Sequence, residues 1–448
     1  DSPDSVKGQA GVFEGVIFDY AACPWNGSGA VGITAKHFRG VFKNCYFRNC
    51  VDPHFRYYGR ALSFPFAGVG WHTDRAIFNN CTFANIGYVY EQEDGNYADY
   101  VQFNHCSFLN VVMYPLESGW WRKLAVTNSV FVNTHMMGYR PVEWPDREPE
   151  GGTIWIDSVA RFGFNVPFTD QDRHILFANN SYFIEAWLER WMKENPMSTD
   201  LLVSGRANEV PVPRPMMNNR TIRFFDAVDT TGHKRFRLMN RVALYDSTDP
   251  DFLAPPSDTT AIKAFLYYKW FCCSDTNWAF APHLSMQRHW PLVEDLAYAN
   301  TTLQSAGMGG FPLGDLYHWW PQDYDRWKLQ EGAEEERISQ WLETGIDPMT
   351  VPVSGRGNGG PAAYVLDQNY PNPFNPGTII HYQLSMDNYV SLRVYDLLGR
   401  EAAVLVNERK PAGSYEVTFD AARLSSGVYI YRLIAGRYIE SRKMVVLR

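Results

Sequence analysis

The chain has 448 residues, 45% apolar and 20% charged, which excludes whole-chain disorder and leaves room for two or three domains. Its 41 Lys and Arg against 49 Asp and Glu give a net charge of −8, which argues against a sequence-independent nucleic-acid binder or an anionic-membrane binder. No run of 18 apolar residues offers a membrane span. The opening DSPDSVKGQA has neither a basic n-region nor an apolar h-region, so a signal peptide is either absent or already removed.

The first half carries a repeat. FKNCYFRN (42–49), FNNCTFAN (78–85), FNHCSFLN (103–110), VTNSVFVN (126–133) and ANNSYFIE (178–185) align when anchored on Asn44, Asn80, His105, Asn128 and Asn180. A weaker copy, GVIF at 15–18, sets Phe18 against Phe42. One residue after each anchor stand Cys45, Cys81, Cys106, Ser129 and Ser181, all small. Three after it stand Phe47, Phe83, Phe108, Phe131 and Phe183; five after it stand Asn49, Asn85, Asn110 and Asn133, with Glu185 breaking the series. Alternating apolar positions punctuated by Asn predict strand–turn–strand coils that stack like on like, as in a right-handed parallel β-helix with regular coils over about 12–185. In that register the three Cys are small buried residues, and His105 is a turn substitution rather than a catalytic base. The seven Cys show no zinc spacing, and no metal is expected.

From about 186 to 345 the pattern becomes irregular. IEAWLERWMKEN (184–195) has helical spacing and is expected to cover the open end of the stack. LQEGAEEERISQWLE (329–343) predicts a charged amphipathic helix. Cys272 and Cys273 read equally as two free thiols or as holding one disulfide partner. Residues 346–363 form a Gly- and Pro-rich linker, and the alternating segments after it predict a small β-sandwich at 364–448.

Those last segments carry a resemblance. LDQNYPNPFNPGTIIHYQL, VSLRVYDLLGREAAVLV, AGSYEVTFDA, LSSGVYIYRL and ESRKMVVLR, in that order, resemble the type A C-terminal sorting domain of the type IX secretion system. The matching motif positions are Asn372, Pro373, Phe374, Asn375 and Pro376, then Gly399, Arg400, Gly427 and Lys443. The resemblance implies an Ig-like sandwich, the secretion machinery as partner, and an extracellular or outer-surface location in a Bacteroidota-type or related bacterium. The preceding region, with its NxxF coils and the FPLGDL segment Phe311–Leu316, is similar to secreted β-helix proteins that carry this tail.

For catalysis on such a scaffold, acids should line up on neighbouring coils, as a polysaccharide lyase or glycoside hydrolase requires. No acidic column is present, and the local candidates are Asp157, Asp170, Asp172 and Arg173, with Arg161 and His174 nearby. Glu91-Gln92-Glu93-Asp94 reads as a solvated loop tip. The pairs Trp120–Trp121 and Trp319–Trp320 are candidates for stacking on sugar or on a protein partner. The composite expectation is a mainly β protein: a β-helix passenger over 1–345 and a sorting domain, acting as a secreted structural or cell-surface protein (matrix component, adhesin or self-assembling filament subunit). The balance leans against an enzyme, and no cofactor is implied. The alternatives are a polysaccharide lyase or glycoside hydrolase, and a non-catalytic carbohydrate-binding protein; self-association and polysaccharide binding are the further contacts considered.

Overall fold

The computed structural model describes residues 11–19, 29–33, 37–51, 59–63, 72–91, 96–117, 120–137, 152–160, 166–255, 259–269, 294–349, 364–366, 369, 371–384, 388–396, 399–411, 413–435 and 438–447. The expectations for Arg161, for Cys272 and Cys273, for the acidic residues 92–94 and for linker residues 350–363 fall outside them. Two compact units divide the chain, Asp1–Gly345 and Ile346–Arg448.

The first unit is a succession of short strands in rungs. The first rung holds β1 (Gly11–Glu14), β2 (Ile17–Asp19) and β3 (Gly29–Gly32). The second holds β4 (His37–Lys43), β5 (Tyr46–Arg48) and β6 (Arg60–Ser63), and the third β7 (His72–Asn79), β8 (Thr82–Ile86) and β9 (Tyr88–Glu91). The fourth holds β10 (Tyr97–Ala98), β11 (Val101–Asn104), β12 (Ser107–Val111) and β13 (Leu116–Glu117). The fifth holds β14 (Lys123–Thr127), β15 (Val130–Thr134) and β16 (Ile154–Trp155). Then come β17 (His174–Phe183) and β18 (Met239–Asp246). Each strand pairs in parallel with its equivalent one rung away, giving the order β1-β4-β7-β11-β14-β17-β15-β12-β8-β5-β2 in a large sheet and β16-β13-β9-β6-β3 in a smaller one.

The repeat columns explain that stacking. Asn44, Asn80, His105 and Asn128, and then Asn49, Asn85, Asn110 and Asn133, all have positive φ, the left-handed conformation that Asn tolerates better than most residues. Between these bends the inward rings stack in two files. Phe13, Phe42, Phe78 and Phe103 follow one another at 4.4–4.9 Å, and Phe18, Phe47, Phe83, Phe108 and Phe131 at 4.4–5.1 Å. Asn110 Nδ2 donates to Asn85 Oδ1 at 3.0 Å, and Asn133 Nδ2 to Asn110 Oδ1 at 3.0 Å, so the bends are laced together along the stack.

Two register assignments are corrected. Phe18 pairs with Phe47, and it is Phe13 that pairs with Phe42, with Gly15 rather than Asn at the positive-φ bend. In the last copy the bend is Asn179, not Asn180. Asn180 therefore takes the small-residue column, and its Nδ2 donates to Val126 O as the Cys106 thiol does to Phe78 O. Tyr182, paired with Phe131, takes the inner aromatic column while Phe183 turns outward.

Helices α1 (Ala186–Glu194), α2 (Pro196–Val203), α3 (Asn219–Asp226) and α4 (Thr259–Lys269) follow. The expected end cover at α1 is instead a flank: Leu188 and Met192 pack with Val51, Val112 and Met136 along the side of the stack. The interior is closed at its far end by Phe224 and Phe225 of α3, Phe225 meeting Phe177 edge-on. Beyond the antiparallel pair β19 (Phe252–Ala254) and β20 (Asp295–Tyr298), helices α5 (Leu316–Trp319), α6 (Pro321–Lys328) and α7 (Glu331–Thr344) complete the unit. Among the described residues no helix is long and apolar enough to cross a membrane.

The second unit is wholly antiparallel within its named sheets. β21 (Val365–Leu366), β22 (Gly377–Leu384) and β25 (Gly413–Asp420) form one sheet; β24 (Glu401–Lys410), β23 (Asn388–Tyr395), β26 (Gly427–Ala435) and β27 (Tyr438–Val446) form the other. Ile380, Tyr382 and Phe419 from the first meet Leu392, Tyr431 and Met444 from the second in one core, an arrangement that fits a β-sandwich.

Candidate functional site

The structure places the acidic candidates of the first unit at the entry to β17. Asp157 is buried; its carboxylate accepts from Ser158 N at 2.8 Å and from Arg220 Nη1 at 3.0 Å. Arg173, also buried, donates to Trp121 O at 3.0 Å, Asp157 O at 2.8 Å and Asp170 Oδ1 at 3.4 Å. Asp170 in turn accepts from Ser158 Oγ at 2.6 Å and Val159 N at 3.1 Å. Asp172 closes a capping box with Thr169, whose N–H and hydroxyl hold its carboxyl below the usual value. Burial pushes the Asp157 carboxyl up and the Arg173 guanidinium down to about 10. His174 bonds Leu342 O at 3.0 Å, and burial lowers its pKa. These groups clasp the chain entering β17: the Asp157 and Asp170 carboxylates accept from backbone N–H, hydroxyl and guanidinium donors, while Asp172 is exposed and tied to Thr169.

The aromatic pairs are covered. Trp121 is wholly buried and edge-on to Tyr90, Trp120 is 2% exposed, and Trp319 is buried with its indole N–H on Thr82 Oγ1. Trp320 is half-buried against Tyr298. Trp120, Trp121 and Trp319 are thus enclosed by protein, and Trp320 keeps part of its surface exposed. Sequence reasoning missed a different aromatic surface: half-buried Trp187 and Trp191, four residues apart on α1, line a cleft with Arg190, Glu194 and Lys263. Their helical spacing was legible, but it does not tell which face of the helix stays open.

The sorting motif has a structural use for most of its residues. Phe374 is buried, bonded to Val445 O and Leu447 N, and flanked by cis peptide bonds at Asn372–Pro373 and Asn375–Pro376. Asn372 accepts from Val445 N and donates to Lys443 O, and Pro376 O accepts from Ala421 N, so this segment is sewn to β27 and to the end of β25. Gly399 has φ +77° in the turn from β23 to β24, where Arg400 bonds the Asp396 carboxylate at 2.7 Å. Gly427 opens β26 opposite Val446.

A second cluster had no sequence motif. His37 opens β4 and His72 opens β7, in register with each other, and Asp74 lies 3.1 Å from His37 Nδ1 and 3.0 Å from His72 Nε2 through the same Oδ1. His37 precedes Asn44 by seven residues and His72 precedes Asn80 by eight, so the repeat register hides the match behind one extra residue.

Residues 368–447 match the family model of the secretion system C-terminal sorting domain. No curated protein matches the chain. A solved structure of PorZ, described as an essential bacterial surface component of the type IX secretion system of Porphyromonas gingivalis, is 23% identical over 18% of this chain and 11% of that one, with a TM-score of 0.14. The sorting-domain match indicates export by type IX secretion to the extracellular space or cell surface, with the secretion machinery as partner.

Proposed function

We propose that this chain is a secreted structural or cell-surface protein, a right-handed parallel β-helix passenger over 1–345 with an Ig-like sorting domain at 364–448 beyond a linker at 346–363. One observation carries the reading: of the side chains best suited to catalysis, Asp157 and Arg173 are buried and bonded within the stack, Asp170 is held by Ser158, Val159 and Arg173, and exposed Asp172 caps its own turn through Thr169. The lyase or hydrolase alternative draws no support from them. Head-to-tail association is the assembly mode this favours. Among the described residues β1 and β2 pair on one side only. The test is expression of the full chain, and of a chain ending at residue 345, in a host with type IX secretion. The full chain is expected at the surface or in the medium and the shortened one inside the outer membrane; equal export of both would overturn the reading.

The second reading, carbohydrate binding, is favoured by the Trp187–Trp191 cleft with its flanking Arg190, Glu194 and Lys263. It predicts glycan retention that Trp191→Ala abolishes.

A further inference from the structure

We propose that His37, His72 and Asp74 form a binding site for a divalent transition-metal ion of the zinc class, joining the second and third rungs of the stack. The site is built by a defect in the pairing. β4 and β7 run in register from His37↔His72 through Phe38↔Thr73, then slip so that Arg39 faces Arg75. Asp74 is the extra residue, the bulge position at which a strand re-aims a side chain. It lies two residues after His72, on the same side of the strand before the slip, and its Oδ1 comes between the two imidazoles.

The dimensions suit an ion. A tetrahedral zinc site with bonds of about 2.0–2.1 Å sets neighbouring donor atoms about 3.3 Å apart. Here the two nitrogen–oxygen separations are 3.1 and 3.0 Å, and one donor atom from each residue lies within 4.8 Å of the others. Both nitrogen–oxygen separations fall a few tenths of an ångström short of that spacing. Two imidazoles and one carboxylate match the donor preference of zinc-type ions, whereas calcium and magnesium take oxygen. Three protein ligands leave a fourth position for water, and the side chains of His37, His72 and Asp74, 29, 14 and 25% exposed, leave the cluster open to solvent.

The rings are held for the task. His37 meets His72 edge-on with centroids 4.1 Å apart. On the opposite side Tyr97, paired with His72 from the next rung, stacks flat on its ring at 4.9 Å. That fixes the imidazole plane, as outer groups do around metal ligands.

The experiment uses the untagged full chain, stripped with chelator and titrated with Zn2+ by calorimetry and with Co2+ by visible absorption. One ion per chain is expected, with no thiolate-to-cobalt band. His37→Gln, His72→Gln and Asp74→Asn should each weaken binding at least about tenfold, while His381→Gln in the second unit changes nothing. Zn2+ should also raise the thermal unfolding midpoint of the native chain but not of the Asp74→Asn variant, whose fold is checked by circular dichroism. A native chain that binds no more Zn2+ than Asp74→Asn, or binding that survives all three substitutions, overturns the proposal.

Discussion

A single Asn in the bends of the stack does two jobs, and they can be separated. Asn110 has φ +54°, and its amide accepts from Asn133 and donates to Asn85. Alanine loses both the conformational tolerance and the bonds; glycine loses only the bonds. We expect Asn110→Ala to cost about 2–4 kcal/mol and Asn110→Gly about 1 kcal/mol less, measured by denaturant unfolding. Equal losses would refute the role given to φ. The neighbouring thiols make a second prediction. Cys45, Cys81 and Cys106 are buried, and burial first of all drives the Cys81 pKa far above its ordinary value of 9.0. A raised folded pKa means stability that is present below pH 9 and lost as pH rises, because only the unfolded thiol ionises. For the Cys81 thiol the loss is about 1.4 kcal/mol in all between pH 8 and 10, steepening above pH 9. Unfolding curves from pH 8 to 10 should show this loss, and Cys81→Ala should reduce it. Asn and Phe periodicity made these columns legible from sequence. The pair Asn179-Asn180 did not resolve itself, since either Asn suits a bend and only strand pairing chooses.

At the scale of the element, α7 shows what a charge pattern leaves out. Its span was readable from residues 329–343, but its acidic side chains are not merely solvated. Glu331 pairs with Lys43 at 3.0 Å, Glu335 accepts from Asn79 at 3.1 Å, and buried Glu334 accepts from Asn104 at 2.8 Å and Trp327 at 3.0 Å with His105 Nε2 at 3.3 Å. The helix is a strap along the bends of successive rungs. Ahead of it, the Phe311–Leu316 segment lies on the same face: Gly314 N bonds Asn128 O and Asp315 accepts from Thr82. Asn104 and Glu334, and Thr82 and Asp315, stand more than 200 residues apart, and no local pattern announces them. Burial would raise the Glu334 carboxyl, but His105, Asn104 and Trp327 outweigh it and hold it below 4.5. Its contribution is therefore full above that value and lost as pH falls through the folded pKa. We expect Glu334→Gln to cost about 3 kcal/mol at pH 7, with the gap from the native chain closing in acid. A double-mutant cycle with His105→Asn should give a coupling of about 1–3 kcal/mol. Independent, additive losses would show that the strap is not fastened here.

For the whole molecule, the two units were legible to different depths. The second unit announces itself because its motif is dense and linear: NPFNP and the KMVVL strand meet through the backbone bonds of Phe374 with Val445 and Leu447, and the DLLGR turn is closed on itself by Asp396 and Arg400. The stack was legible where it repeats and not where it ends. That β18 adds a further strand to the stack and that α3 plugs the interior follow from long-range packing of ordinary residues such as Met239 and Phe225. The His37–His72–Asp74 cluster escaped notice because a one-residue bulge breaks the column that would reveal it. The proposed role rests on copies of the passenger associating outside the cell. Sedimentation velocity of the exported protein, with intact mass taken on the same sample, tests this most directly. The account predicts concentration-dependent assemblies; a single monomer boundary at every concentration would contradict it.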